Sequence, residues 1–219
     1  MRRRFAARSE PIDAWEDHQR RCRFAAFEAL WPGTWPSLEI LEVGCGFGGW
    51  LLDFRARSET VSLTGVDLCE ERLAVARRRL PGARLAIGCG SALPLESDRF
   101  DLIVLSTVLS SIASESLRGA IAKEVSRVGR ADAWALVFDL RYPNPFNREV
   151  RSISRSEVAR LFGAAPARSC SALALPPIGR RLARWPKALG WWERASMLHT
   201  HRMDLVPLNS SAAGEPTAR

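Results

Sequence analysis

Short apolar runs alternate with amphipathic stretches along the chain between residues 38 and 208. The apolar runs lie at 38–43, 60–66, 83–87, 100–106, 133–140, 167–175 and 200–208. Apolar residues at helical spacing occupy intervals between them, at 48–57, 70–80, 114–128 and 154–162. Strands that alternate with helices of this length predict βαβ units and a parallel sheet covered on both faces. The pattern therefore indicates a doubly wound α/β fold.

The pattern changes towards both ends of the chain. Residues 13–31 have helical spacing ahead of a Pro-Gly pair, which predicts one amphipathic helix before the sheet. Apolar periodicity is lacking at 1–10 and 209–219, where we expect flexible tails. A basic, Trp-rich helix is predicted at 179–197. The prediction is thus a single domain over 11–208, with an N-terminal helical cap at 11–37 and substrate-side insertions at 141–199.

One helix start has a recognisable capping pattern. Ser154 is predicted as the N-cap of the helix at 154–162, and Glu157 follows three positions later. This spacing is typical of a capping box, in which the glutamate side chain reaches back to the backbone of the cap residue.

Composition favours a globular protein. The 219 residues are 47% hydrophobic and 26% charged. No apolar run approaches the roughly 18–20 residues needed to cross a bilayer, and no apolar secretory segment follows the arginine-rich start. The five cysteines are odd in number and form no C-x-x-C pair, so we expect neither a disulfide framework nor a metal site. These features predict a cytoplasmic protein with no membrane partner.

The charge balance is strongly basic. Lysines and arginines number 32 against 24 acidic residues, a net charge of +8. Such an excess attracts acidic ligands or nucleic acid at long range but identifies no partner. Because no RNA-binding module is recognisable, a small-molecule substrate is favoured over nucleic acid. The Trp-rich helix could roof a substrate pocket, pack on the sheet or form the face of a homodimer.

A glycine-rich segment follows the first predicted strand and opens the next helix, where an open α/β sheet binds its ligand. Gly44, Gly46 and Gly49 satisfy the dinucleotide pattern G-x-G-x-x-G. The same segment satisfies acid-x-G-x-G-x-G, with Glu42 as the acid and Gly48 as the third glycine.

Glu42 distinguishes the two patterns. A dinucleotide places its pyrophosphate at the helix N-terminus beside this loop, where the carboxylate of Glu42 would repel it. S-adenosylmethionine has no phosphate and instead presents an ammonium and a sulfonium, which a carboxylate attracts. Asp67, at the end of the second predicted strand, stands at the spacing expected for a carboxylate that binds ribose hydroxyls.

These motifs resemble the class I S-adenosylmethionine-dependent methyltransferases, and the resemblance runs from about residue 38 to 208. Besides the glycine segment, it rests on TGVDL at 64–68 and FDLIV at 100–104. It implies a Rossmann-like, mainly parallel seven-stranded sheet with an antiparallel last strand, and S-adenosylmethionine as cofactor. The residues it implies as cofactor ligands are Glu42, Gly44, Cys45, Gly46, Gly48, Trp50, Asp67, Leu68, Arg72, Cys89, Gly90, Ser91, Ala92, Leu105 and Ser106.

The chain departs from the family pattern at two points. Cys89 replaces the acid that accepts a hydrogen bond from the adenine amino group, and a thiol is a poor acceptor. Adenine recognition is therefore expected to rest on the backbone of 90–92. Residues 130–132 replace the usual Pro-Gly-Gly turn before the fifth strand.

Residues that follow the fourth and fifth strands share the carboxyl edge of the sheet with the cofactor. We therefore expect a set of them to border the transferable methyl group: Thr107, Ser110, Asp139, Arg141 and Asn144. The sequence after residue 139 resembles a bacterial branch of the family associated with natural-product or polysaccharide pathways.

Two residues are the candidates for acid–base chemistry. His201 lies in the last predicted strand, next to the fifth in this fold, and an ordinary histidine pKa suits a base. Tyr142 lies just past the fifth strand. We expect His201 to be a base or an orienting partner, with Tyr142 and Arg141 positioning the acceptor. The alternative for His201 is a hydrogen-bonded residue on a strand surface, and His18 and His199 are expected in solvent.

The leading hypothesis is a methyltransferase that acts on an oxygen or nitrogen of a small metabolite, in specialised biosynthesis. Three alternatives stay open at this point. They are a cofactor-binding domain without turnover, which Cys89 suggests, an RNA methyltransferase, and a dinucleotide-dependent oxidoreductase.

Overall fold

The computed structural model describes residues 14–35, 37–144, 147, 149–174 and 199–208. The predicted tails at 1–10 and 209–219 and the basic helix predicted at 179–197 lie outside the described residues. Within them the strands are β1 (Glu39–Val43), β2 (Ser62–Asp67), β3 (Arg84–Ile87), β4 (Phe100–Ser106), β5 (Gly129–Leu140), β6 (Arg168–Ala174) and β7 (His199–Pro207). The α-helices are α1 (Ala14–Leu30), α2 (Gly49–Arg57), α3 (Glu70–Arg79), α4 (Glu115–Val128) and α5 (Arg155–Phe162).

The strands form one sheet in the order β3-β2-β1-β4-β5-β7-β6. Pairing is parallel from β3 across to β5, whereas β7 runs antiparallel to both β5 and β6. The predicted Rossmann-like sheet with an antiparallel last strand is confirmed. Strand order reverses between β1 and β4, and the crevice at the carboxyl ends of these two strands is where a doubly wound sheet takes its ligand.

Helices cover the sheet on both faces. Phe27 of α1, Phe54 of α2 and Leu73 of α3 are fully buried in the core on one face. On the other face, Val125 of α4 and Val158 of α5 are fully buried. Alternate residues of each strand therefore point into two separate hydrophobic cores, which explains why the strands are apolar almost throughout.

Serine caps start two of the helices, as their sequences predict. Ser114 accepts from the backbone N–H of Leu117 at the start of α4, and Ser154 accepts from that of Glu157 at the start of α5. The predicted reciprocal half of the capping box is wrong, because the Glu157 carboxylate is turned to Arg118 and Arg151. An ion pair with Arg118 together with a hydrogen-bonded ion pair with Arg151 outweighs one hydrogen bond to a backbone amide.

The fifth strand begins earlier than predicted. The apolar run predicts 133–140, but β5 starts at Gly129, so residues 130–132, which replace the Pro-Gly-Gly turn of the family, lie within the strand. Gly129 pairs with Phe100, and the register then shifts before Leu102 pairs with Trp134. Polar residues in this irregular stretch are held at the sheet by Arg130, which forms an ion pair with Asp101 of β4.

Candidate functional site

The glycine loop between β1 and α2 is built on left-handed backbone. Gly44, Gly46 and Gly48 have φ of 72°, 51° and 75°, a region that other residues rarely adopt. The backbone N–H groups of Gly44 and Cys45 both donate to the carbonyl of Val66 in β2, at 2.7 and 3.1 Å. The loop therefore turns sharply over the end of β2.

Gly44 is crowded by protein. A Cβ on this residue would lie 2.7 Å from Cγ2 of Val108, just after β4. The close approach of two loops of the protein thus requires glycine here, in addition to the positive φ.

The same geometry separates the two glycine patterns. Gly48, the third glycine of the acid-x-G-x-G-x-G pattern, has a left-handed φ, and a Cβ there would lie 2.6 Å from Leu80. A Cβ on Gly49, the third glycine of the dinucleotide pattern, would come no closer than 4.0 Å to its nearest neighbour, Arg23. In dinucleotide-binding loops, the third glycine allows the helix and the strand to pack closely. The loop therefore fits the first pattern better.

Asp67 connects the glycine loop with the start of α3. Its Oδ2 accepts from the N–H of Gly46 at 2.8 Å, and its Oδ1 accepts from the N–H of Cys69 at 2.9 Å. The place of Asp67 at the end of β2 is therefore compatible with binding a ribose and also with capping the start of α3. The carboxylate orders the loop that a ligand would contact.

Glu42 is a buried carboxylate at the end of β1, with 3% of its surface exposed. Burial raises its pKa to about 8, against the opposing effects of Arg23 and of a hydrogen bond from the backbone of Leu51. Its Oε2 is buried and has no hydrogen-bond partner among the described residues. An unsatisfied buried acceptor beside the loop fits the ammonium of S-adenosylmethionine, which supplies donors and positive charge.

Three of the expected cofactor ligands turn their side chains into the core. Cys45, Trp50 and Leu105 are 4%, 1% and 0% exposed. Burial also raises the pKa of the Cys45 thiol. At these positions only the backbone is available to a ligand.

The expected adenine side lies beyond β2 and β3. Leu68 is largely exposed, as an apolar side chain at a ligand edge would be before a ligand covers it. Cys89 and Ala92 close a tight turn, in which the N–H of Ala92 donates to the Cys89 carbonyl at 3.0 Å. The Cys89 thiol lies 3.1 Å from the Ser91 hydroxyl, whose hydrogen bond lowers the pKa of the thiol.

Two further ligand candidates frame this edge. The Cδ of Arg72 lies 3.9 Å from the position that a Cβ would take on Gly46. A Cβ on Gly90 would lie 3.0 Å from Val43 of β1. Arg72 therefore lies beside the glycine loop, and Gly90 lies beside the end of β1.

The end of β4 carries an unusual backbone. Thr107 is exposed and has a φ of 55°, which is strained for a β-branched residue. Its N–H donates to the carbonyl of Phe138 at 2.7 Å, and its hydroxyl donates to that of Ser106. Strain of this kind concentrates at functional sites, so Thr107 stays an acceptor-side candidate and the half-buried Ser106 stays a cofactor-side candidate.

Two expected acceptor residues are satisfied within the protein. Asp139 and Ser110 are both buried, and Asp139 Oδ2 accepts from the N–H of Ser110 at 3.0 Å. Asp139 Oδ1 accepts from the N–H of Leu140 at 2.9 Å. The backbone carbonyl of Ser110 accepts from the N–H of Arg151. Asp139 and Ser110 therefore connect the loop after β4 with β5 and with the segment that follows it, and their place beside the methyl group stays a prediction.

His201 lies in a buried, apolar place. Its ring stacks on Phe138 with centroids 4.9 Å apart, and Nδ1 lies 2.9 Å from the Thr200 hydroxyl. Burial, with a smaller contribution from Arg23, lowers the pKa of His201 to about 4. The ordinary pKa expected for this residue is therefore wrong, and the ring is neutral at pH 7.

The other acceptor-side residues lie nearer to solvent. Tyr142 is 47% exposed and the guanidinium of Arg141 lies 4.9 Å from its ring centroid, while Asn144 is half-buried. His18 and His199, expected in solvent, are both half-buried instead. His199 lies 3.1 Å from the Ser171 hydroxyl on the neighbouring strand.

Sequence reasoning missed a charged cluster beside the loop. Arg23 of α1 donates to Asp53 of α2 at 2.8 Å, and Arg20 pairs with the same carboxylate at 3.2 Å. The two arginines are one helical turn apart, which places them on one face of α1. Nothing local in the sequence connects that face with Asp53, 30 residues away.

Within the described part of the chain, no group of three or more His, Cys, Asp or Glu side chains is placed to hold a metal ion. No described helix is long and apolar enough to cross a membrane.

Residues 40–132 match the model of a methyltransferase domain family. This match supports the resemblance to the class I S-adenosylmethionine-dependent methyltransferases over that segment. The matched segment contains the glycine loop, Asp67 and the end of β4, so S-adenosylmethionine is the cofactor to which this methyltransferase site corresponds. The resemblance seen in the sequence is confirmed at the level of family, fold and cofactor.

Known proteins agree with this methyltransferase fold. A phthiotriol/phenolphthiotriol dimycocerosates methyltransferase from Mycobacterium ulcerans is 35% identical over 107 residues, covering 48% of this chain and 38% of that protein. The chain thus matches well under half of that relative's length. An S-adenosylmethionine-dependent methyltransferase from Methanosarcina mazei has a TM-score of 0.61 at 18% identity, covering 83% of this chain and 96% of the other.

A third similar protein is a geranyl diphosphate C-methyltransferase from Streptomyces coelicolor, crystallised with S-adenosyl-L-homocysteine. It has a TM-score of 0.63 at 16% identity, and the likeness covers 93% of this chain and 85% of that one. At such identities the likeness to solved structures concerns the fold.

Proposed function

We propose that this chain transfers the methyl group of S-adenosylmethionine to an oxygen or nitrogen of a small metabolite. The observation that carries the proposal is the buried, unpartnered Oε2 of Glu42 beside three left-handed glycines. A site built in this way favours a cationic ligand over a pyrophosphate, since the carboxylate lies where phosphate charge would fall.

When bound, S-adenosylmethionine supplies an electrophilic methyl group on a sulfonium. The contribution of the chain is to hold the acceptor in line and to exclude water. Thr107, at the end of β4, and the stacked pair Arg141 and Tyr142, past β5, stand at the carboxyl edge where an acceptor would lie. In this proposal Tyr142 and Arg141 position the acceptor through the phenol hydroxyl and the guanidinium.

His201 is assigned an orienting role. A ring whose pKa is lowered to about 4 is neutral at pH 7 but is a weak base towards a hydroxyl or ammonium. Its stacking on Phe138 and its hydrogen bond with Thr200 hold the ring in one orientation. An acceptor that is already nucleophilic, such as a neutral amine, would need only this alignment.

The names of the related proteins support a small acceptor. One is named for phthiotriol and phenolphthiotriol dimycocerosates and another for geranyl diphosphate. Both names describe metabolites, which favours a specialised-metabolism substrate over RNA. The second name also makes carbon an alternative acceptor atom.

Binding and transfer are tested in two steps. Calorimetric titration with S-adenosylhomocysteine and with NADH comes first, and binding of NADH alone would contradict the proposal. Transfer of a labelled methyl group is then measured on a panel of hydroxyl, amine and prenyl diphosphate acceptors, with tRNA alongside. We expect label in a hydroxyl or amine product. Label only in tRNA, or only on carbon, would overturn the proposed acceptor class.

Cys89 stands in place of the adenine-binding acid of the family, so methyl transfer is tested separately from cofactor binding. A Cys89→Asp variant restores the acid of the family pattern. We expect it to bind S-adenosylhomocysteine more tightly than the wild type while both transfer methyl groups. If the wild type binds S-adenosylhomocysteine and transfers to no acceptor on the panel, a cofactor-binding domain without turnover is the better description.

A further inference from the structure

Arg23 lies at the mouth of the glycine loop although it precedes the matched segment, residues 40–132. Its Nη2 lies 4.0 Å from the position that a Cβ would take on Gly49, the first residue of α2. Its guanidinium stacks on the ring of Trp50 at 4.2 Å and donates to Asp53 at 2.8 Å. All three contacts come from α2, so Arg23 is held against the start of that helix.

Two groups in the cluster around Arg23 lack hydrogen-bond partners. Arg20 and Arg23 form ion pairs with Asp53, and the buried Glu42 lies close enough to affect the charge of Arg23. In the part of the chain that the structure describes, Arg23 Nε and Glu42 Oε2 are buried without hydrogen-bond partners. A buried polar group without a partner destabilises the protein until a ligand satisfies it.

An amino-acid zwitterion matches this pair of groups. Its ammonium donates to a carboxylate, and its own carboxylate accepts from a guanidinium. The ammonium also lowers the pKa of Glu42, which burial has raised to about 8, and thereby favours the carboxylate form that binds it.

The start of α2 favours the same arrangement. No acidic residue lies in its first turn, and Gly48 provides no side-chain cap for the first backbone N–H groups. Helix N-termini of this kind attract carboxylates through their free N–H groups and the helix dipole. Arg23 therefore brings a second source of positive charge to a place already suited to an anion.

We propose that Arg23 binds the α-carboxylate of the amino-acid part of S-adenosylmethionine, while Glu42 binds the ammonium. The inference rests on the proposed function, since it requires the cofactor to bind at the glycine loop. Arg23 is then a specificity-determining residue supplied by α1, and Trp50 and Asp53 hold its guanidinium in place. The helix ahead of the family domain contributes directly to cofactor selection.

The test compares two ligands that differ only in the carboxylate, S-adenosylhomocysteine and its decarboxylated analogue. Calorimetry gives the ratio of their dissociation constants for the wild type and for Arg23→Gln. We expect the wild type to prefer S-adenosylhomocysteine by about 10- to 100-fold, the usual worth of a charge-assisted bond. In Arg23→Gln the preference should fall to within about threefold, because the group that reads the carboxylate is gone.

Arg20→Gln is the matched control. It also removes one guanidinium from Asp53, but from the more exposed partner on the preceding turn of α1. We expect a similar change in melting temperature and an unchanged ligand ratio. If Arg23→Gln does not fold, Arg23→Lys replaces it, because a lysine keeps the charge beside Asp53 but loses the planar fork that binds a carboxylate.

The outcomes are distinguishable. A folded Arg23→Gln or Arg23→Lys that keeps the wild-type ratio overturns the inference, and Arg23 then only pairs with Asp53. Binding of 5′-methylthioadenosine as tightly as S-adenosylhomocysteine by the wild type also overturns it, while leaving cofactor binding intact. If neither of these adenosine ligands binds the wild type, the proposed function itself fails.

Discussion

Two buried carboxylates at the carboxyl edge of the sheet have different surroundings. Asp139 of β5 has both oxygens engaged by the backbone of Ser110 and Leu140. Glu42 of β1 has one oxygen with no partner among the described residues. Burial raises the pKa of both groups, but hydrogen bonds oppose this effect more fully at Asp139.

This difference indicates which carboxylate is available to a ligand. A satisfied carboxylate joins parts of the protein, as Asp139 joins the loops after β4 and β5. An unsatisfied one is costly until a ligand supplies the missing donor. The cofactor edge, at β1 and β2, therefore has a buried carboxyl oxygen that a ligand can bind. At the acceptor edge, at β5, the buried carboxylate is already hydrogen-bonded within the protein.

The largest expected effect comes from Gly44→Val on the cofactor edge. A valine there would be strained by the positive φ and overpacked against Val108, 2.7 Å from the Cβ position, at a combined cost of about 2–5 kcal/mol. We expect S-adenosylhomocysteine binding to be lost in calorimetry because the loop must move. Gly82→Ala is the control, since Gly82 has a φ of 91° and open space. Normal binding by Gly44→Val would show that the loop is not part of the site.

Asp67→Ala tests the backbone order of the same edge. The change removes the acceptor for the N–H groups of Gly46 and Cys69, and also the expected acceptor for the ribose hydroxyls of the cofactor. Hydrogen bonds to a charged group contribute about 1.5–3 kcal/mol, so we expect S-adenosylhomocysteine to bind about 10- to 100-fold more weakly. Asp101→Ala at the opposite edge removes a comparable backbone acceptor, for Glu39, and should leave binding unchanged. Equal binding by both variants would contradict this placement of the pocket.

Paired isosteric changes of Glu42 and Asp139 test the comparison directly. We expect Glu42→Gln to weaken S-adenosylhomocysteine binding about tenfold with little loss of stability, because the amide replaces a carboxyl that burial already favours as neutral. Asp139→Asn should cost about 1–3 kcal/mol of folding free energy, since an amide donor then faces a backbone donor. Calorimetry and urea unfolding of both variants measure the two effects. A loss of stability in Glu42→Gln together with a loss of ligand binding in Asp139→Asn would contradict the comparison.

The pH dependence of stability separates the two edges again. Glu42 has a pKa raised to about 8 in the folded protein, so its contribution to stability is lost as pH rises from about 4.5 through 8. His201 has a pKa lowered to about 4, so its contribution is lost as pH falls from about 6.5 through 4. Melting temperatures across pH should show that Glu42→Gln flattens the alkaline limb and His201→Asn the acid limb. Parallel profiles for both variants and the wild type would disprove these shifts.

The smallest expected effect belongs to His201→Asn on turnover. A general base contributes about 10²–10⁴-fold to the rate, and we expect the loss to remain below that range because the ring only orients. Tyr142→Phe, with its exposed hydroxyl removed, should mainly raise KM for the acceptor. Rates at saturating cofactor with an identified acceptor decide between the roles. A loss of 10³-fold in His201→Asn would restore it as the base.

Local sequence determined much of the fold and the whole cofactor loop. Apolar runs predicted all seven strands, and serines predicted two helix starts, because burial and capping act over a few neighbouring residues. The left-handed backbone of Gly44, Gly46 and Gly48 was likewise predictable, since glycine spacing records a backbone requirement. Glu42 could be singled out because its charge decides between two ligands within one loop.

Tertiary structure alone decided how buried charges pair and how far their pKa values move. His201 has an ordinary histidine sequence context, but burial, with a smaller effect of the nearby Arg23, lowers its pKa to about 4. Asp139 has the position of an acceptor ligand, yet the backbone N–H groups of Ser110, after β4, and of Leu140, in β5, occupy its two oxygens. Arg23 reaches Asp53 and Glu42 only because α1 packs beside α2. Burial and partners depend on contacts between distant segments, and those contacts exist only in the folded chain.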